Sequence, residues 1–430
     1  MNNCFDRILS LRGFFINMKI SFFIVFVLFG SIKGFPQKFE ELAMTPPMGW
    51  NSWNKFHCDV NEQVIRDAAD AMVSSGMKDA GYEYIVIDDC WQIDRDDQGF
   101  IVADPQKFPS GMKALADYIH SKGLKFGLYS CAGRQTCQNR PGSRGHEFQD
   151  AITYAGFGVD FLKLDWCHSE GQNPVESYTL MRDALSAAGR PVVFSLCEWG
   201  LNKPWEWAAN VGHLWRTSGD ILNNWNIPDA KKGKCWAGGV VINLDMQEGL
   251  EEYAGPGGWN DPDMLQVGNG ALTDSENRSH FALWCMLSAP LFAGNDLANM
   301  TKSTRDLLTN AELIAINQDV LGKQGFKIKD YGELEVFYKP LQNNEMAICI
   351  FNRFNHPVTV EMDWNTFQVN AISERKVMQL SMNIDRNEIY LDSVYSIRDV
   401  FEKKDIGTTT QILKREIPSH DVIVYRLKRN

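Results

Sequence analysis

The sequence predicts an α/β protein: a (β/α)8 barrel followed by a smaller C-terminal antiparallel β-sandwich. Three observations carry this. From Thr45 onward, short apolar runs alternate with amphipathic helical stretches, the signature of βα units and a parallel sheet. Polar side chains collect at the C-terminal ends of those runs, the face on which such barrels carry their chemistry. After Leu321 the helical period vanishes and short, alternating, β-rich segments take over. A doubly wound open sheet would need a GxGxxG turn after its first strand, and none stands there.

The apolar runs can be followed in order. MGWNSWN (Met48–Asn54) reads as a strand emptying into an aromatic loop, and Asn61–Ser75 as a helix with Val64, Ile65, Ala68, Ala71 and Met72 on one face. YIVIDDCW (Tyr84–Trp91) is a strand stopped by two aspartates. The helix Gly111–Lys122 closes at Gly123 and leads into LKFGLYS (Leu124–Ser130). Helical stretches near His146–Gly156, Val175–Ala188 and Trp205–Asn210 precede the strands FLKLDWC, PVVFSLCEW and HLWRTSGD. GGWNDPDML (Gly257–Leu265), a helix around Glu276–Leu287, PLFAGNDL (Pro290–Leu297) and helical Ala311–Asp319 complete about eight units. Beyond them, strands are expected at Glu333–Tyr338, Met346–Asn352, Val358–Met362, Ile372–Met378, Glu388–Leu391, Tyr395–Asp399 and Val422–Leu427. They form a domain with no chemical constellation of its own, expected to pack against the barrel.

The chain divides into a leader over residues 1–35, a barrel over 36–321 and a β-domain over 322–430. The leader rests on Met18-Lys19, the apolar run Ile20–Phe29 and the small residues Gly30, Ser31 and Gly34, a pattern too short for a membrane span. A secreted or periplasmic protein without a membrane span in its mature form is therefore expected, in a compartment that permits disulfides. Of ten cysteines, Cys4 lies in the leader, and the odd remainder leaves at least one free thiol. No CxxC pair comes with a matching histidine set, so no zinc site, and no cofactor, is expected. A net charge of −11 argues against nucleic acid and anionic membranes as partners and leaves a neutral ligand open.

Asp165 and Asp220 are the candidate catalytic pair. In FLKLDWC, Lys163, Asp165 and Cys167 share one strand face, and a buried lysine and carboxylate are costly unless they are paired or functional. Asp220 ends another strand, and strand ends converge in a closed barrel. Two carboxylates flanking a glycosidic bond are the minimum for glycoside hydrolysis, about 5–5.5 Å apart in a retaining enzyme. Lys163 would keep Asp165 ionised, whereas Asp220 needs a raised pKa to act as an acid, with Arg216 tuning it. Taken singly, either ion pair is as readily structural. Asp88-Asp89 lacks the further oxygen ligands a hard cation needs, which favours hydroxyl binding. Trp50, Trp91 and Trp199 suit a sugar face or, equally, wedge the barrel mouth.

The ordered motifs MGWNSWN, DAGYEYIVIDDCW, YIHSKGLKFGLYS, FLKLDWC, SLCEWG, WRTSGD and YAGPGGWNDPDMLQVGNG resemble those of the alpha-galactosidase (melibiase) family, glycoside hydrolase family 27, from about Pro46 to Asp319. The resemblance implies exo-acting, retaining hydrolysis of alpha-galactosides, with Asp165 as nucleophile and Asp220 as acid/base. It implies that Asp88 and Asp89 hold the sugar hydroxyls, within a pocket of Trp50, Tyr129, Lys163, Cys197, Glu198, Trp199, Gly200, Leu201, Arg216, Asp263 and Met264. It also implies disulfides Cys58–Cys90 and Cys137–Cys167, the second bracing the nucleophile strand. Within the family, Glu198 followed by Trp199-Gly200-Leu201 favours galactose over N-acetylgalactosamine, and Asp89 favours it over arabinopyranose. Trp166 and the long segment Asn223–Glu252 depart from the family pattern, and both are expected to shape the pocket rim.

Overall fold

The computed structural model describes residues 38–227, 237–364, 368–373, 376–378, 384–385, 391 and 393–430. Eight parallel strands form the barrel: β1 (Met48–Asn51), β2 (Tyr84–Ile87), β3 (Lys125–Cys131), β4 (Phe161–Asp165), β5 (Val193–Cys197), β6 (Leu214–Arg216), β7 (Trp259–Asp261) and β8 (Leu291–Ala293). Each of β1 to β6 pairs with the next strand, and β8 pairs with β1. A parallel bridge between Leu265 and Ala293 closes the seam between β7 and β8, where the Leu265 N–H donates to Phe292 O at 2.8 Å.

The helices obey their local chemistry. After β1 to β4 come α1 (Glu62–Ser74), α2 (Met112–Ser121), α3 (Glu147–Phe157) and α4 (Pro174–Ala188). The Asn61 side chain caps α1, Asn173 and Pro174 open α4, and left-handed Gly158 and Gly189 end α3 and α4. The stretch expected to be helical over Trp205–Asn210 is instead two 3-10 turns, Pro204–Glu206 and Ala208–Asn210. So short a segment cannot recover the cost of nucleating an α-helix. Then follow α5 (Val240–Asp245), α6 (Asp274–Met286), α7 (Lys302–Leu308) and α8 (Ala311–Asn317). A hairpin after β2, Gln92–Arg95 with Ile101–Ala103, has no counterpart in the sequence-based expectations.

Period-two alternation sorts the barrel side chains. Tyr84, Val86, Phe161, Val193, Leu214, Trp259 and Phe292 form one buried cluster, the apolar floor. Two residues further along the same strands stand Asp88, Lys163 and Arg216, and four residues beyond Phe161 stands Asp165, all of which reach the cavity at the mouth. Gly49 makes the floor possible: a Cβ there would lie 2.7 Å from both the Phe292 ring and Tyr84 Cβ.

The β-domain strands are β9 (Phe326–Asp330), β10 (Leu334–Leu341), β11 (Glu345–Asn352), β12 (Val358–Asp363), β13 (Gln368–Ser373), β14 (Lys376–Met378), β15 (Ile384–Asp385), β16 (Tyr395–Asp399), β17 (Lys404–Thr408), β18 (Leu413–Ile417) and β19 (Val422–Arg429). They form a seven-stranded sheet, β15-β9-β10-β11-β19-β16-β17, and a four-stranded one, β14-β13-β12-β18. Val336, Ile348, Ile350, Val360, Met362 and Leu427 close the sandwich core, whereas Phe337, Ala347, Cys349, Phe351 and Val424 belong to the large core around the barrel. Asn343 and Asn344, at φ 60° and 57°, make the β10–β11 turn. The leader expected over residues 1–35 and, but for Leu391, the strand expected at Glu388–Leu391 lie outside the described residues.

Gly49→Ala is expected to cost about 1–3 kcal/mol, the usual penalty for overfilling a packed core. Denaturant unfolding of both proteins measures it, and an unchanged midpoint would mean that the floor has spare room.

Candidate active site

A cavity of about 880 Å³ opens at the C-terminal end of the barrel. Asp88, Asp89, Tyr129, Lys163, Asp165, Arg216, Asp220, Asp263 and Met264 line it, together with Trp199 and Leu201 from the loop after β5. Asp165 closes β4, between Cys131 and Cys197 on its two neighbours. Burial pushes its carboxyl up from the ordinary 3.8 to about 7; Lys163 opposes that rise and the charge of Asp220 adds to it. The Trp166 N–H donates to Asp165 Oδ1 at 2.8 Å.

Asp220 hangs beyond β6 with its carboxyl partly open to the cavity. Burial raises its pKa; Arg216 pulls it down and Asp263 pushes it up. Arg216 is sealed from solvent and its Nη2 reaches Asp220 Oδ1 at 3.2 Å, Asp263 Oδ2 at 3.1 Å and the Ser218 carbonyl at 3.1 Å. On the opposite side, Lys163 Nζ donates to Asp88 Oδ2 at 2.9 Å, where Asn51 Nδ2 also donates at 2.7 Å. The ion pair of Lys163 is therefore with Asp88 rather than with Asp165, as its position on β4 had suggested. Its effect on Asp165 is a longer-range pull that burial outweighs. Asp89 accepts from the Cys90 and Gln138 N–H groups at 2.7 and 3.0 Å, and burial raises its pKa.

Disulfides join Cys58 to Cys90 and Cys137 to Cys167. The first ties down the turn that carries Asp88 and Asp89. The second lies within 4.8 Å of the Asp165 carboxylate. Bonded to each other, these sulfurs have no thiolate to give a metal.

Two models of known families match: "Alpha galactosidase A" over residues 45–319 and "Alpha galactosidase C-terminal beta sandwich domain" over 331–427. The chain belongs to the alpha-galactosidase (melibiase) family. It is 51% identical to alpha-galactosidase A of Cellvibrio japonicus, over 94% of this chain and 97% of that protein. Among solved structures, alpha-galactosidase I of Mortierella vinacea aligns with a TM-score of 0.82 and 36% identity, over 91% of this chain and 98% of that one. The alpha-galactosidase of Saccharomyces cerevisiae with raffinose gives 0.81 and 32%, over 91% and 99%.

Against the site expected from the family resemblance, four residues stand elsewhere. Trp50 is fully buried on the outer face of β1 and donates its indole N–H to Asn295 O at 2.7 Å. Its neighbour Asn51 is the one that faces Asp88, because strand side chains alternate. Cys197 lies behind the wall, accepting from Arg216 Nη1 at 3.4 Å. Glu198 is buried and its pKa, pushed up to about 7 by burial, is restrained by Asn202, which donates twice to Oε2. Gly200 packs against the Thr217 carbonyl, where a Cβ would lie 2.6 Å from the oxygen. Trp166 does not shape the rim: it stacks on Tyr178, centroids 5.5 Å apart. Trp91 is also a wedge, set edge-on to Tyr154 and Phe157. Trp53, His57, Gln138, Asn243, Met246 and Gln266 line the cavity without having been singled out. Of the long segment Asn223–Glu252, residues 228–236 lie outside the described residues.

A raised carboxyl pKa makes native Asp165 retain a proton that the unfolded chain has already lost between about pH 4 and 7. Stability therefore falls as pH rises through that window. Asp165→Asn removes the deficit and is expected to raise stability at pH 8 by up to about 4 kcal/mol, the gain fading as pH falls to about 4. Denaturant titrations at several pH values measure it; a pH-independent difference would contradict the burial argument.

Proposed function

We propose that the protein is an exo-acting alpha-galactosidase that removes terminal alpha-linked D-galactose from oligosaccharides or glycoconjugates, with retention of configuration. One observation carries the reading: Asp165 and Asp220, from the ends of different strands, face a single cavity and lie close enough for the charge of one to raise the pKa of the other. Family membership supports the galactoside assignment. The cavity is larger than one sugar requires, which leaves space for the leaving group beside Trp53, Leu201 and Met246.

In the first step ionised Asp165 attacks the anomeric carbon while protonated Asp220 gives its proton to the departing glycosidic oxygen. The product is a galactosyl ester on Asp165. Asp220, now a carboxylate, takes a proton from water as that water attacks the same carbon; the ester bond breaks and Asp165 is regenerated. Raised pKa values suit Asp220 as the acid, and the Lys163 charge favours the ionised Asp165 that attack requires. Asp88, Asp89 and Lys163 are placed to bind sugar hydroxyls, and Arg216 holds Asp220.

We read residues 1–35 as a leader, 36–321 as the barrel and 322–430 as the β-domain. Two disulfides suit a secreted or periplasmic destination. No helix among the described residues is long and apolar enough to cross a membrane.

Nitrophenyl glycosides test the substrate. The alpha-D-galactoside is expected to exceed the N-acetyl-alpha-D-galactosaminide and the beta-L-arabinopyranoside in kcat/KM by more than about tenfold. Faster turnover of either competitor would replace the galactoside reading. Asp165→Asn is expected to lower kcat by roughly a thousandfold or more with the fold intact. Residual hydrolysis within tenfold of the parent would remove Asp165 from the nucleophile role.

A further inference from the structure

The wall that carries Asp220 is held from behind by the β-domain. Past Asp220 the chain doubles back: the Gly238 N–H donates to Asp220 O at 2.8 Å and the Leu222 N–H to Gly238 O at 2.7 Å. Gly239 then opens α5. Within α5, fully buried Asn243 turns Nδ2 onto two carbonyls, Gly219 O at 3.0 Å and Pro262 O at 2.9 Å. These residues immediately precede Asp220 and Asp263. A single amide thereby joins the two loops whose carboxylates share Arg216. Gln247 adds a second tie: its Nε2 donates to Asn243 O at 2.8 Å, and its Oε1 accepts from Thr217 Oγ1 at 2.8 Å.

A six-residue helix has too few internal hydrogen bonds to hold its own position. Its last residue, Asp245, also places a carboxylate at the negative end of the helix dipole, which is unfavourable without a counter-charge. Arg353, just beyond β11, supplies that charge. Its Nη1 lies 3.4 Å from Asp245 Oδ2, and its Nη2 makes a closer contact with Oδ1. Arg353 is fixed in turn: Nη2 is 2.9 Å from Glu335 Oε2, Glu335 Oε1 is 2.7 Å from Lys327 Nζ, and Lys327 reaches Asp330 at 3.0 Å and Glu248 at 3.5 Å. Glu335 and Lys327 are buried. Such a network is a poor source of stability, since apolar side chains of similar volume would serve as well or better. What it offers over apolar packing is direction.

We propose that Arg353 is a positioning residue for Asp220, acting through Asp245 and Asn243, and that the β-domain thereby takes part in glycoside hydrolysis. The proposal rests on the reading of Asp220 as the acid/base.

Leaving-group dependence tests it. Proton donation matters when the leaving oxygen belongs to a sugar and little when it belongs to dinitrophenol. Removing general acid catalysis costs about 10²–10⁴-fold where it is needed. Arg353→Met, with its folding checked by circular dichroism and thermal melting, is expected to lower kcat/KM on a galactosyl disaccharide by at least about tenfold. Its kcat/KM on the dinitrophenyl alpha-galactoside should change by less than about threefold, and Arg353→Lys should recover most of the loss. Asp245→Asn leaves Arg353 paired with Glu335 and gives the same split if Arg353→Met does not fold. Equal losses on both substrates, or no loss on either, overturn the positioning role. Asp220→Asn is the control. If it shows the steep leaving-group split and Arg353→Met does not, the positioning proposal alone falls. If Asp220→Asn itself loses both substrates alike, the acid/base reading falls and takes the proposal with it.

Discussion

The Lys163–Asp88 ion pair is the contact on which the rest of the barrel mouth depends. Among the described residues Asp88, Asp89, Asp165, Asp220 and Asp263 all line the cavity, against two strong cations, Lys163 and Arg216. Where they are buried, carboxylates without compensation take up protons rather than stay charged. Each cation is shared. Lys163 pairs directly with Asp88 and pulls on Asp165 from further away; Arg216 touches both Asp263 and Asp220. Burial thus holds both members of the pair proposed for catalysis above the ordinary carboxylate range, and the shared cations oppose that rise without cancelling it. The excess of negative charge is also what a glycosyl centre needs as it gains positive charge in the transition state.

Holding so many like charges together requires a backbone that leaves the strands sharply. Four non-glycine residues with positive φ follow barrel strands: Cys90 at 75° after β2, His168 at 50° after β4, Trp199 at 59° after β5 and Asp263 at 82° after β7. Such conformations persist only where the surroundings over-determine them. Here those surroundings are visible. A disulfide holds Cys90 itself, and another holds Cys167 beside His168. Asp263 is gripped by its own carboxylate, which accepts from the Ile221 and Met264 N–H groups at 2.8 Å each and meets Arg216.

Much of this was legible in the sequence because the barrel repeats one rule. Alternation in FLKLDWC put Lys163 and Asp165 on one face, and the same face carries Phe161 into the floor. The same rule applied to MGWN would have favoured Asn51 over Trp50, but the bulk and sugar-stacking chemistry of tryptophan drew the reading to Trp50, whose indole is buried against Asn295. What alternation cannot supply is partner choice across strands: Lys163 is two residues from Asp165 in the chain, yet Asp88, just past the end of a strand that is not its neighbour, is its ion-pair partner. In the β-domain the strands Lys404–Thr408 and Leu413–Ile417 escaped notice because all their side chains but Ile417 are exposed or half-buried and they carry too few apolar residues to show a period. Their identity comes from pairing with β16 and β12.

The β-domain, which the sequence shows only as packing, meets the barrel in two chemically different ways. Over the second half of α6 the contact is apolar: Phe337, Ala347, Cys349 and Phe351 share one core with Phe281, Leu283, Trp284 and Met286, while its first half is tied down by Arg278 to Asp421 at 3.2 Å and Glu276 to His420 at 2.8 Å. Beneath α5 it is ionic, through Arg353, Glu335 and Lys327. Apolar contact is strong but has little direction, so a small slide of one surface over another costs little so long as area is kept. An ion pair with hydrogen-bond geometry resists that slide. At α5 that resistance acts on the helix that ties down the residue before Asp220, and an acid that must reach one oxygen of the substrate has little tolerance for displacement.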